Sequence, residues 1–377
     1  MEETATEKKE FPCSQCGAKL TFKPGTDKIV CAYCGHEQVV VIPASSGATD
    51  GSATATTQVV EHDFNEAVKN VRSVKASDVV TGGKEIQCSG CGANSIMTAQ
   101  SDRCAFCGSP MVAEVKGQDA MFVPESVLPF HVDKPQAKQK YIDWIKGLWF
   151  APNDLSKRAN ASGMDGIYLP YWTYDANTFT RYTGQRGEYY YVTESYKDNQ
   201  GQTQTREVRH TRWYPVSGSV KVDFDDVLVC ASKSLPHEMI DELEPWDLHE
   251  LKPYDARYLS GFVTERYKIG LEEGFSISKQ KMEDPIRSHI RGDIGGDDQQ
   301  VTTMNTTYSE VKFKHLLLPL WISSYRYNEK IYRFIINART GEVTGDRPWS
   351  WIKITLATLA GLALAGAIYY YTQLAGK

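Results

Sequence analysis

Recognised catalytic signatures are missing from this chain. There is no Gly-x-x-x-x-Gly-Lys-Ser/Thr loop, and Gly82-Gly-Lys84 lacks both the earlier glycine and the following hydroxyl, which argues against a nucleotide-driven motor. There is no Gly-x-Ser-x-Gly elbow and no His-Glu-x-x-His pair. Positive charge is not in excess: 42 Lys and Arg face 47 Asp and Glu, a net charge of -5, so bulk charge does not point to nucleic acid. Of 9 cysteines only Cys230 lies outside a repeated motif, in the apolar run Val227-Leu-Val-Cys-Ala231, where a buried, inert thiol is expected. Charge is absent from Ile354 to Gly376. The charged start, Met1-Glu-Glu-Thr, does not read as a secretory signal.

The other cysteines form four Cys-x-x-Cys-Gly knuckles. Cys13-Ser-Gln-Cys16-Gly17 and Cys31-Ala-Tyr-Cys34-Gly35 make one set, and Cys88-Ser-Gly-Cys91-Gly92 and Cys104-Ala-Phe-Cys107-Gly108 the other. Two residues between thiolates let one tight turn aim both at a metal, and the glycine tolerates the positive φ that frees backbone N–H groups to bond the sulfurs. Each pair of knuckles predicts a closed, four-sulfur, structural zinc site, so two zinc ions are expected; iron would use the same ligands. Thiolate sites also favour a reducing compartment. His36, two residues after Cys34, is a spare ligand beside a site that four thiolates already fill.

Ile354 to Tyr371 is an apolar run framed by Trp349 and Trp351 on one side and Tyr369 to Tyr371 on the other, the aromatic belts of a membrane span. A single helix crossing the bilayer through residues 352–374 is expected. Arg333, Arg339, Arg347 and Lys353 precede it and Lys377 follows, so the bulk of the chain is expected in the cytoplasm and the stub outside.

The expected fold class is α+β, divided into a polar N-terminus (1–10), zinc ribbon 1 (11–42), a linker (43–58), a helical connector (59–84), zinc ribbon 2 (85–116), two α+β halves (117–250 and 251–348) and a membrane anchor (349–377). The Ala/Ser/Thr/Gly-rich linker predicts that ribbon 1 moves relative to the rest. Phe64, Val68 and Val71 fall at helical spacing in the connector. The first half opens at Val127-Leu-Pro-Phe130, has a helix around Ala137 to Leu148 and reaches Leu169-Pro-Tyr-Trp172; the second opens near Leu251-Lys-Pro-Tyr254, has a helix around Ser276 to Arg291 and reaches Leu318-Pro-Leu-Trp321. An internal duplication is expected, with each shared proline beginning a strand. Asp198-Asn-Gln-Gly201 predicts a hairpin that puts Arg206, Val208, His210 and Arg212 on one polar face, and Arg339-Thr-Gly-Glu342 predicts a second turn. Asp223, Asp225 and Asp226 are expected in a turn or a solvated cluster rather than as paired acid and base.

Tandem ribbons, Leu-Pro-x-Trp strands and a C-terminal span resemble a group of bacterial TFIIB-type zinc-ribbon membrane proteins, often labelled primosomal protein N′-like. The resemblance implies a place in envelope-stress modules beside phage-shock-protein-A-like or SPFH-domain proteins, as recruiters at the inner membrane. A non-enzymatic membrane-anchored adaptor is therefore the expected function, with exposed Tyr33 and Phe106, at equivalent places in the two second knuckles, as partner-binding residues. The competing reading is a membrane-tethered nucleic-acid binder, and an enzyme in the α+β body is a third. Ribbon charges of +1 around Phe11 to Val41 and −1 around Glu85 to Lys116 favour protein over nucleic acid.

Overall fold

A computed structural model describes residues 11–40, 61–70, 84–87, 94–97, 113–114, 124–158, 163–197, 201–328 and 330–375. In chain order the elements are β1 (Leu20–Lys23), β2 (Lys28–Cys31), β3 (Glu37–Val39), β4 (His62–Asp63), α1 (Phe64–Asn70), β5 (Lys84–Gln87), β6 (Asn94–Met97), β7 (Ala113–Glu114), β8 (Ser126–Val127), α2 (Lys134–Gly147) and α3 (Leu155–Arg158). Then follow β9 (Asp165–Lys197), β10 (Thr203–Cys230), α4 (His237–Asp241), β11 (Lys252–Pro253), β12 (Val263–Glu265), α5 (Leu271–Ile294), β13 (Asp298–Tyr327), β14 (Lys330–Asn337), β15 (Val343–Gly345) and α6 (Trp351–Ala375). The fold is mixed α+β and mostly antiparallel. β1, β2 and β3 form a small sheet, and a large sheet runs β11-β8-β13-β9-β12-β6-β5-β7, with β10 on β9 and β14 on β13.

Strand periodicity sorts the core into layers, because successive side chains of a strand point to opposite faces. Ile167, Leu169 and Tyr171 of β9 join Leu316, Leu318, Leu320 and Ile322 of β13 on one face, which the α4 region covers with Leu235, Met239, Ile240 and Leu243. Their neighbours point the other way. There Tyr168, Leu317 and Trp321 pack with Ala137, Tyr141 and Ile145 of α2, while Trp172, Tyr174 and Phe313 pack with Phe275, Met282, Ile286 and Ile290 of α5. α2 and α5 therefore share one face of the sheet.

The two Leu-Pro-x-Trp motifs lie opposite each other, with Leu169 paired to Leu318. Around that pair the pairings repeat. β8 runs parallel to β13 with Ser126 against Leu316, and β12 runs parallel to β9 with Val263 against Ile167. Trp321 Nε1 donates to Val132 O at 2.8 Å, and Trp172 Nε1 donates to Ile269 O at 2.8 Å. Asp133 and Gly270, each one residue further on, are the N-caps of α2 and α5. The units are thus strand, helix, long strand and return strand: β8-α2-β9-β10 and β12-α5-β13-β14.

Several expectations are corrected by this geometry. By register, the counterpart of Val127 to Phe130 is Thr264 to Tyr267; Leu251 to Tyr254 instead supplies β11, paired to β8 through Lys252 and Val127. The shared prolines do not begin strands. Pro170 sits between the β12 pairing at Ile167–Tyr168 and the β10 pairing that ends at Tyr171, and Pro319 sits between the β8 pairing at Leu316–Leu317 and the β14 pairing that ends at Leu320. At such a gap no second ladder calls for the missing N–H. The carbonyls still serve, accepting from Ala231 N at 2.9 Å and Ala338 N at 3.1 Å.

The helices predicted around residues 137–148 and 276–291 are α2 and α5. In the connector α1 packs Phe64 on Phe275 at 4.7 Å between ring centroids; Val71 lies outside the described residues. Of the turn predicted at Asp198 to Gly201 only Gly201 lies among the described residues; the strands on either side, of 33 and 28 residues, pair up to Lys197 and Thr203. β13 accompanies β9 only as far as Gly187, so residues 188–197 and 203–212 continue as a two-stranded arm. Along it Arg206, Arg209 and Arg212 lie over Tyr196, Tyr189 and Tyr190.

Candidate metal centre and membrane segment

Each described knuckle is built by the same backbone bonds. An isolated bridge between Pro12 and Lys19 closes the first, where Cys13 N donates to Ala18 O at 2.7 Å and Gly17 N to Cys13 O at 2.8 Å. β2 delivers Cys31 to the second, where Cys31 N donates to His36 O and Gly35 N to Cys31 O, both at 2.9 Å. Gly17 and Gly35 both have φ of 73°. A side chain there would meet nothing within 4 Å, so the turn requires glycine for its backbone and not for space.

The sulfurs converge. Sγ of Cys13 and Cys34 are 3.6 Å apart, those of Cys16 and Cys31 are 3.5 Å apart, and all four lie within 4.8 Å of one another. A tetrahedral cage with metal–sulfur bonds of about 2.3 Å has edges of roughly 3.8 Å, so the set fits a four-thiolate metal ion. The N–H of Cys34, with that of Tyr33, holds the Cys31 thiol down to about 7 against the cost of burial. Cys16 is pushed up to about 12: the N–H of Ala18 lowers it, but burial and the crowding thiols outweigh that. Such crowding is relieved when a cation takes up the charge. His36 stays outside the set, its Nε2 3.3 Å from Ser14 Oγ. Tyr33 stands at the tip of the second knuckle and is 85% exposed.

The ribbon is seated on the body, which corrects the expectation that it moves freely. Phe22 N donates to Ser260 O at 2.9 Å, Ser260 Oγ donates to Leu20 O at 2.5 Å, and Gly25 N donates to Phe130 O at 2.9 Å. Cys13, Leu20, Phe22, Ile29 and Cys31 belong to the same core as Phe130, Tyr168 and Tyr258. A ribbon too small for a core of its own thereby borrows one.

Cys88, Cys91, Cys104, Cys107 and Phe106 lie outside the described residues. Their flanks are described. Gln87 pairs antiparallel with Asn94 across Cys88 to Cys91 as Pro12 pairs with Lys19 across Cys13 to Cys16. β6 then pairs with β12 through Ser95–Glu265 and Ile96–Thr264, joining this segment to the large sheet.

α6 carries a stretch of 22 residues, Trp351–Thr372, apolar enough to cross a membrane and with none of it buried by the chain. At about 1.5 Å per residue that is roughly 33 Å, against about 30 Å of hydrocarbon. Its base is fixed to the α2–α3 loop: Ser350 N donates to Phe150 O at 2.7 Å, and Lys353 Nζ donates to Trp149 O at 3.0 Å and Ala151 O at 2.8 Å.

Two polar groups were not legible in the sequence. Lys314 is buried yet charged, 2.6 Å from Asp226 Oδ1 and 3.3 Å from Glu61 Oε1. Asp226 lies within a bulge of β10 with φ of 52°, beside Asp175 and Asp225. Asp223 and Asp225 are exposed, as expected of a solvated cluster, and only Asp226, paired with Lys314, departs from that expectation. Glu265 is buried, accepts from Ser232 Oγ at 2.7 Å and from Ser234 Oγ, and burial raises its pKa to about 7. The partners are too distant in the chain for local pattern to reveal them. Cys230 is buried in the core, and burial pushes its thiol up to about 12, as expected of an inert cysteine.

No family model matches the chain, and no solved structure matches it. The chain is similar to "Uncharacterized protein YdjG" of Bacillus subtilis (strain 168), 28% identical over 245 residues, which cover 64% of this chain and 68% of that protein.

Proposed function

We propose that the chain is a non-enzymatic, membrane-anchored adaptor. Two zinc-bearing ribbons face the cytoplasm and dock proteins, and α6 holds the assembly at the inner membrane. The observation that carries this reading is the pairing of a four-thiol cage, presenting an exposed Tyr33, with an apolar helix that the chain itself leaves uncovered. Four thiolates in a closed tetrahedron favour zinc in a structural role. The matching registers around Cys13 to Cys16 and Cys88 to Cys91 support a second site of the same kind, and the repeated pairings about Leu169 and Leu318 support a duplicated body. The basic residues before the span support cytoplasmic ribbons. Phage-shock-protein-A-like or SPFH-domain proteins are the proposed partners, on the resemblance of the sequence alone.

A photo-crosslinker at Tyr33 in the full chain, activated in native membranes, tests the reading. A cytoplasmic or peripheral membrane protein should be captured, and a Tyr33→Ala variant that keeps its metal should capture less of a partner through neighbouring crosslinkers. Salt-sensitive binding to DNA or RNA with no protein recovered would overturn it.

A further inference from the structure

The base of α6 carries a feature that neither the ribbons nor the span explains. A cleft of about 580 Å³ opens there, lined by Tyr327, Lys330, Tyr332, Arg347, Trp349 and Trp351. That volume is within the usual range for small-ligand sites. Two cations and no carboxylate stand among its described lining residues. Arg347 lies over the Trp349 ring at 4.4 Å, which holds the guanidinium against the wall. A smaller cleft of about 390 Å³ shares Lys330, Tyr332, Arg347 and Trp349 and adds the Asp346 carboxylate. At the foot of α6, large apolar side chains from three separate segments are exposed: Trp149 and Phe150 from the α2–α3 loop, whose carbonyls bond Lys353 and Ser350, Ile331 from β14, and Trp349 and Trp351 at the start of α6. A collar of exposed aromatics at the foot of an apolar helix belongs at the level of lipid headgroups. Cations set within such a collar face phosphate groups.

We propose that the larger cleft binds the phosphate-bearing headgroup of an anionic glycerophospholipid in the leaflet from which α6 enters the membrane. The proposal rests on the reading of α6 as a span. Lys330 and Arg347 supply the charge, the Arg347 fork gives two parallel donors to phosphate oxygens, and the aromatic walls hold the glycerol end.

The test is native mass spectrometry of the full chain reconstituted in nanodiscs of equal phosphatidylglycerol and phosphatidylcholine. Phosphatidylglycerol should be retained preferentially. The Lys330→Gln/Arg347→Gln double variant should lose that preference by about 30-fold, roughly fivefold per cation. Lys221→Gln/Lys233→Gln, which removes the same charge elsewhere, should retain it. Excess inorganic phosphate should not displace the lipid. Equal retention of the two lipids, an unaltered double variant, loss in the control, or displacement by phosphate would each overturn the proposal. A chain that enters nanodiscs without lipid preference contradicts the cleft alone, whereas one that fails to enter them contradicts the span as well.

Discussion

The two strand–helix–strand–strand units share a register at their centre and diverge everywhere else. Both place a proline in the gap between ladder partners and a tryptophan three residues after the motif's leucine, bonded to a carbonyl just ahead of the long helix. Beyond that, the return strand of the first unit reaches 28 residues and forms an exposed arm, while that of the second has 8 and leads through β15 to α6. The shared part sits where two faces of the sheet are buried at once, so both directions of each strand are constrained. The divergent parts hang from edges, where length changes disturb few packed side chains. The helix starts differ too: α2 has a capping box made by Asp133 and Gln136, and α5 begins at Gly270 with no side-chain cap.

The largest test of this equivalence is truncation of the two tryptophans. Trp172→Ala and Trp321→Ala should each cost about 3–5 kcal/mol, since both empty a core site and orphan a buried carbonyl. Melting of the purified full chain in detergent reads both. If one variant melts like the parent, the two units are not equivalent.

Next is a place where the units differ chemically. Glu265 in the second unit stands at the register position of Leu128 in the first. Burial raises the Glu265 pKa to about 7, above its unfolded value, so folding favours the protonated acid. The contribution of Glu265 to stability is therefore greatest below about pH 4.5, falls as pH rises between roughly 4.5 and 7, and is flat above; the fall is about 3 kcal/mol in order of magnitude. Glu125 is also raised to about 7 by burial and adds to the parent's slope. The difference between the parent and Glu265→Gln isolates the one group: the variant's melting temperature should depend less on pH across this window. Identical pH profiles would remove Glu265 from the account.

The caps give a smaller effect. Asp133→Ala should cost about 1 kcal/mol, because its carboxylate accepts from Gln136 N at 2.8 Å. Gly270 has φ of −70° and ψ of 170°, with nothing within 4 Å of an added Cβ, so Gly270→Ser should stabilise by about 0.5 kcal/mol. A loss of stability in Gly270→Ser would show that α5 is not free to take the cap α2 has. Smallest is the arm. Arg209→Ala removes the 4.2 Å contact with the Tyr189 ring and should cost about 0.5 kcal/mol, visible as local loss of amide protection rather than in the global melt.

Legibility followed the range of the interactions. Knuckles, helix periodicity, the two turns and the apolar segment are local patterns, and α2, α5, both hairpins and α6 stand where those patterns put them. The seat of the first ribbon was not legible, because it depends on Ser260 meeting Leu20 and Phe22 from 240 residues away. For the same reason the ion pairs of Lys314 and the hydroxyls around Glu265 carried no signal. The prolines carry an ambiguous signal: a missing N–H suits the end of a strand, but it suits equally the gap between two partners on one side, which is where Pro170 and Pro319 lie.

The central claim is that one membrane-held body carries two closed four-thiolate metal sites. Zinc per chain, measured by elemental analysis on full-length protein extracted from the membrane fraction, tests it most directly. The account predicts two zinc ions, falling to one when Cys88 or Cys13 is replaced by serine and to none when both are. One metal or fewer in the parent, or a ratio of two that survives either replacement, would contradict it.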